Sequence, residues 1–185
     1  MANRLDPSGL MFRPLAVADL PVMRRWLNEP HVLEWWDNPG PSLDEVERKY
    51  DPLIAGTEPT RGYVVIYGDR PMGFIQEYLL SDHVDYGRLV WPEPGAVAID
   101  LFIGDPGFVH RGLGGPMLRQ FLKEVVYIRP EVTCAVIGPA VSNRAAIRAY
   151  EKAGFAYVKT VEIPGEAEPE YVMALSRDEL LSRGM

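Results

Sequence analysis

Apolar positions along this chain follow two rhythms. Short apolar runs rich in β-branched residues predict strands over 10–15, 63–67, 71–80, 97–103, 133–137, 156–163 and 170–175. Between them, apolar residues three or four apart predict helices. One covers 20–27 behind Asp19 as N-cap. A second runs to about Ala55 from Ser42-Leu-Asp-Glu45, which has the form of a capping box. A third runs through Leu113, Met117, Phe121, Leu122 and Val125, and a fourth is capped by Ser142. Residues 28–37 read as a short helical or irregular piece with adjacent tryptophans, and Gly68-Asp-Arg70 as a hairpin turn. Residues 1–9 are polar with Pro and Gly, and fraying is expected there. Residues 81–95 are the least regular stretch, a long loop of the kind that tends to carry function. The order β-α-α-β-β-β-α-β-α-β-β fits several α+β arrangements, and no linker or repeat divides residues 1–185 into more than one domain.

Composition narrows the classes. Apolar content of 47% and charged content of 24% suit a soluble globular chain with a full core. No apolar run has the length of a membrane span and no signal-peptide pattern opens the chain, so a cytoplasmic protein without a membrane partner is expected. The one cysteine, Cys134, sits in an apolar run and reads as buried, not reactive. Three scattered histidines give no metal-ligand spacing. A formal charge of −7 speaks against a nucleic-acid partner and is compatible with a small cationic substrate steered by the field.

The chemistry concentrates after the strand at 97–103. A loop rich in Gly and Pro leads to Arg111-Gly-Leu-Gly114, which opens the third helix. Glycines let a ligand approach the backbone, and a helix start offers unpaired N–H groups and the positive end of its dipole. These are the parts of a phosphate cradle, with Arg111 as a charged partner. The dinucleotide fingerprint and the P-loop are both absent. Asp100 interrupts the apolar strand on the Ala98/Phe102 face. A carboxylate there must be held by partners or placed for a reaction.

Val109-His-Arg-Gly-Leu-Gly114 resembles the Arg/Gln-x-x-Gly-x-Gly/Ala pyrophosphate loop of the GCN5-related N-acetyltransferases, with Val109 at the first position. Ser142-Asn-Arg-Ala-Ala-Ile-Arg-Ala-Tyr-Glu-Lys-Ala-Gly-Phe155 is similar to that superfamily's second block. The resemblance implies an α+β fold, an α/β/α sandwich whose central mixed, mostly antiparallel sheet is splayed and flanked by helices. It implies acetyl-CoA as cofactor, with pantetheine against the backbone of Leu101, Phe102 and Ile103. Val109, His110, Arg111, Gly112, Leu113, Gly114 and Gly115 would then hold pyrophosphate, and Asn143 the cofactor arm. Tyr150 reads by spacing as a core-facing aromatic, while the resemblance makes it the general acid and Asp100 the base.

Three stretches narrow the likeness further: Trp26-Leu-Asn-Glu-Pro-His-Val-Leu-Glu-Trp-Trp36, Pro94-Gly-Ala-Val-Ala-Ile-Asp100, and Asn143 to Phe155. They resemble the type Ib aminoglycoside 6'-N-acetyltransferases. That implies acetyl transfer to an aminoglycoside, with Trp35 and Trp36 lining the acceptor cleft. A rigid polycation needs carboxylates and flat apolar walls. Glu34, Asp37, Asp85, Glu93, Asp100, Glu166, Glu168 and Glu170 are candidates for the first, and Trp35, Trp36, Tyr86 and Trp91 for the second. The group's Asp-Pro pair after the strand at 133–137 is Gly138-Pro139 here. A siderophore-type hydroxylysine N-acyltransferase and a non-catalytic acyl-CoA-binding module are the rival readings, and a monomer or homodimer is expected.

Overall fold

The structure, a computed structural model, describes residues 4–36 and 39–182. Asp37, one of the expected acceptor carboxylates, lies outside the described residues. The chain runs β1 (Leu10–Pro14), α1 (Leu20–Leu27), α2 (Pro30–Leu33), α3 (Leu43–Ala55), β2 (Arg61–Tyr67) and β3 (Arg70–Leu79). It continues through α4 (Val84–Val90), β4 (Ala96–Ile103), α5 (Gly114–Phe121), β5 (Cys134–Ile137) and α6 (Arg144–Ala153), then β6 (Ala156–Val161), β7 (Glu170–Ser176) and α7 (Arg177–Ser182). The strands are hydrogen-bonded in the order β1-β2-β3-β4-β5-β7-β6. β4 and β5 pair in parallel, whereas β1–β2, β2–β3, β5–β7 and β6–β7 are antiparallel. The sheet is therefore mixed and mostly antiparallel, as the family resemblance implies.

Two compact units share these elements: residues up to 77 with 100–113, and residues 78–99 with those from 114 onward. In the first, α1 and α3 bury one face each against the sheet. Met23, Trp26 and Leu27 of α1 meet Val46 and Tyr50 of α3, Val64 of β2, Phe74 of β3 and Phe102 of β4. Each such side chain contributes roughly 1.5–3 kcal/mol by leaving water. Edge-to-face contacts join Tyr50 to Phe74 at 5.4 Å and Trp26 to Phe102 at 6.4 Å. The β2–β3 register sets Arg61 opposite Glu77, where they pair at 3.5 Å and account for a carboxylate that is almost fully buried. Ser42 and Glu45 close the predicted capping box, with Ser42 N donating to Glu45 Oε2 at 2.8 Å.

In the second unit, β4, β5 and β7 present Ala96, Ala98, Cys134, Val136, Val172 and Ala174 to a core closed by Leu80 and Val90. Burial pushes the Cys134 thiol up to about 11, so it stays protonated and inert, in keeping with the packing role read from the sequence. Among the described residues, no helix is long and apolar enough to cross a membrane.

Four local expectations are corrected. Residues 81–95 are not an irregular loop: Val84–Val90 is helical, with buried Gly87 packed under the Leu80 carbonyl and buried Val90 in the core. Residues 4–9, the described part of the N-terminal lead-in, are not frayed: Leu5 N donates to Arg111 O at 3.2 Å and Pro7–Gly9 forms a 3-10 turn. The fourth helix is capped by Asn143, whose Oδ1 accepts from Ala146 N at 3.0 Å, while Ser142 Oγ donates to Glu168. Asp19 precedes α1 but makes no cap bond to it. Its carboxylate turns back, accepting from Ala16 N at 2.9 Å and from both Nη atoms of Arg13 at 2.6 Å.

Burial alone would raise the Asp19 pKa, but the Arg13 and Ala16 donors outweigh it and hold the carboxyl below the usual carboxylate range. A group whose folded pKa is depressed stabilises above its unfolded value, near 3.9, and loses that stabilisation as pH falls through the folded value. Asp19→Asn is therefore expected to cost about 1–2 kcal/mol at pH 7. In urea titrations the gap to wild type should narrow steadily below about pH 4.

Candidate active site

The loop after β4 is shaped by its own contacts. Asp105 Oδ1 accepts from Gly107 N at 2.8 Å, and its other oxygen pairs with Arg70 Nη2 at 2.9 Å. The Arg70 guanidinium lies over the Phe108 ring at 5.1 Å. The chain then takes left-handed conformations at His110 (φ 60°) and Gly112 (φ 79°). His110 is the one non-glycine residue with positive φ among the described residues, a cost of about 1–2 kcal/mol. Such alternation turns successive N–H groups toward one concavity, the form of an anion nest. The amides of His110, Gly112, Leu113 and Gly114 have no hydrogen-bond acceptor among the described residues. Arg111 Nε is buried and also lacks a partner among them. Both observations fit a site built for phosphate oxygens.

The N-terminal segment closes one side of this cradle, which sequence reasoning missed. Arg4 Cγ and Nε stand 3.2 Å from where a Cβ on Gly112 would be. Only the basic character of Arg4 hinted at a role. The end of β4 is fixed by another residue without an assigned role in the sequence reading. His31 of α2 lies with Nε2 2.9 Å from the Ile103 carbonyl oxygen. A carbonyl only accepts, so Nε2 carries the proton. Gly104 follows, with Trp26 so close that a Cβ would sit 2.6 Å from the Trp26 Cβ.

Asp100 is half-buried, and its Oδ2 accepts from Gln76 Nε2 at 2.9 Å across from β3. The carboxylate thus has a fixed orientation. Gln76, a polar residue inside an apolar strand, gave the same signal as Asp100 and was overlooked. Leu101, Phe102 and Ile103 follow on β4, past the β4–β5 ladder that runs from Ala96↔Cys134 to Ala98↔Val136. Trp36 is packed edge-on against Phe102 at 4.9 Å and Phe74 at 6.3 Å. Trp35 beside it is 40% exposed, as is suited to a surface wall, and Glu34 is exposed too.

The second unit holds the remaining residues. α5 begins at Gly114 and packs on α6 at its first two glycines: a Cβ on Gly114 would touch Ala149 Cβ at 3.5 Å, and one on Gly115 would crowd the Ala149 carbonyl at 3.3 Å. Tyr150 is the next residue of α6, buried, with its ring 6.4 Å from Phe155. Asn143 Oδ1 is committed to the helix cap. Tyr86, placed by α4, donates its hydroxyl to Glu170 Oε2 at 2.9 Å. Glu168 accepts from Ser142 Oγ at 2.8 Å. Trp91 packs with Tyr86 against the second unit's core and lines a cavity of about 560 Å³ with Thr133, Cys134, Val158 and Glu179.

A family model described as an acetyltransferase (GNAT) domain matches residues 16–163. Aminoglycoside N(6')-acetyltransferases type 1 of Klebsiella pneumoniae and Serratia marcescens are each 34% identical over 158 residues, 84% of this chain and 78% of theirs. The crystal structure of aminoglycoside acetyltransferase AAC(6')-Ib with coenzyme A and kanamycin has a TM-score of 0.84 at 30% identity, covering 95% of this chain and 99% of that one. The chain belongs to the GNAT acetyltransferase family. Its relatives there include aminoglycoside N(6')-acetyltransferases, the structure AAC(6')-Ib among them.

The cradle geometry separates two neighbouring glycines. Gly112→Ala adds a Cβ at positive φ against Arg4, and a loss of about 1–2 kcal/mol is expected in denaturant unfolding. Gly114→Ala meets ordinary van der Waals contact at the helix start and should leave the midpoint unchanged or slightly raised.

Proposed function

We infer that this protein is an acetyl-CoA-dependent N-acetyltransferase that acetylates the 6'-amine of an aminoglycoside. The observation that carries this reading is the nest at residues 109–114, with unpaired amides and the partnerless Arg111 Nε, in a chain 34% identical to enzymes of that name. Arg111 and the backbone of Val109 through Gly115 hold the pyrophosphate. The backbone of Leu101, Phe102 and Ile103 lies along pantetheine, and Asn143 contacts the cofactor arm. Acetyl-CoA supplies an acetyl group activated as a thioester.

Asp100, oriented by Gln76, takes the proton that the attacking amine must shed, directly or through one water. As the new C–N bond forms and the C–S bond breaks, Tyr150 gives its hydroxyl proton to the departing sulfur. Trp35, Glu34 and Tyr86 supply walls and charge for the polycationic acceptor. Trp36 backs that wall through its packing on Phe102.

The direct test incubates the protein with acetyl-CoA and kanamycin or tobramycin and follows free thiol. Thiol release with at least one of them is expected. Release with hydroxylysine but with no aminoglycoside would overturn the acceptor, and CoA binding without any turnover would overturn the catalytic reading. Tyr150→Phe should lower kcat about tenfold or more at nearly unchanged acetyl-CoA affinity, since only the proton donor is removed. Asp100→Asn should lose on the order of a hundredfold, and near-normal activity would pass the base role to another group.

A further inference from the structure

Gly138 directly follows β5, whose parallel partner is β4, and ligands of open sheets collect beyond the carboxyl ends of parallel strands. A side chain at 138 would clash with Glu170 as it is placed: its Cβ would lie 2.8 Å from Glu170 Cδ and closer still to Oε2. The Glu170 carboxylate thus fills the space over the Gly138 backbone. The backbone that carries it is well anchored. Tyr171 N donates to Pro139 O at 2.8 Å, Val141 N to Pro169 O at 3.1 Å, and Ala140 bridges Glu170 itself. From α4, the Tyr86 hydroxyl donates to Oε2 at 2.9 Å, fixing the head group beside an aromatic ring.

We propose that Glu170, delivered from β7 across Gly138, is the carboxylate that grips an ammonium group of the acceptor, with Tyr86 as its orienting partner; this rests on the aminoglycoside reading above. The amine that is acetylated must be neutral when it attacks, so Glu170 binds one of the amines that does not react. Its contribution belongs to acceptor binding, and the chemical step is left to other residues. A short, charge-assisted hydrogen bond to a half-buried carboxylate suits a protonated amino sugar, and the neighbouring phenol ring can face the sugar or the cation.

Glu170→Gln keeps the shape and the oxygen that Tyr86 donates to, and removes the charge. With kanamycin as acceptor, KM should rise tenfold or more, while kcat, the KM for acetyl-CoA and Tm stay as in wild type. Glu170→Ala should lose at least as much, and Glu170→Ala/Gly138→Asp should recover most of the affinity, because a carboxylate is returned to the vacated space from the other strand. An unchanged kanamycin KM in Glu170→Gln, with an active wild type, overturns the proposal alone. So does a joint rise in both KM values with a lowered Tm, which marks a purely structural role. No wild-type turnover of any aminoglycoside overturns the parent reading, and this one with it.

Discussion

A backbone that declines to satisfy its own hydrogen bonds is the constraint on which this molecule turns. Buried or half-buried amides normally find acceptors, and leaving one unpaired costs about 1–3 kcal/mol. Between β4 and α5 the chain leaves buried Leu113 and half-buried Gly114 without acceptors among the described residues, turns the unpaired amides of exposed His110 and Gly112 to the surface, and adds a non-glycine residue at φ 60°. The fold carries these costs because Asp105, Arg70 and Phe108 hold the loop from one side, and Arg4 with Leu5 from the other. On the proposed reading, a pyrophosphate with several oxygens offers these donors partners together, which is the reason to read the loop as a binding device.

The strand leading into the loop is under comparable control. β4 must end at a defined height, or the nest would be displaced from the backbone that precedes it. His31 clamps the Ile103 carbonyl, Trp26 occupies the space a side chain at Gly104 would need, and Phe102 is locked among Trp26, Trp36 and Phe74. The Trp-rich front segment therefore has a structural task as well as a proposed acceptor task. Trp36 packs inward on Phe102, while its neighbour Trp35 remains exposed. Adjacent residues at the end of a short helix point in different directions, so one dipeptide can serve both purposes.

The strands and long helices were legible in the sequence because hydrophobic period and local capping agree with tertiary packing. Ser42 and Glu45 form the cap that their spacing demands, and the predicted ends of α3 hold to within a residue. What was not legible depends on distant partners. Val84–Val90 carries polar residues that mask its helical period, and it is helical because Gly87 and Val90 pack at Leu80. Ser142 and Asn143 are both good caps by type. Glu168, far along the chain, takes the serine hydroxyl, and Asn143 is left to cap α6. Asp19 likewise stands where a cap belongs, but Arg13 on β1 draws its carboxylate away. Of the candidate site, the loop stood out by its glycines at a helix start and Asp100 as a break in an apolar strand. Gln76 and His31 were hidden because their significance lies in whom they touch.

Gly138 shows why motif positions and chemical groups must be kept apart. A motif records which residue number carries a group, whereas a ligand meets only where the group ends up in space. β5 and β7 are antiparallel neighbours, so their ends bring residues some thirty positions apart into one small volume. A long side chain from the second strand can fill the place of a short one from the first, provided the first is reduced to hydrogen. Gly138 and Glu170 satisfy that condition together: neither a side chain at 138 nor this rotamer of Glu170 could exist beside the other. That volume then holds a carboxylate with a phenol hydrogen-bonded to it. On the proposal made above, this geometry, more than the presence or absence of an Asp in the motif, sets which pattern of amines the acceptor must carry.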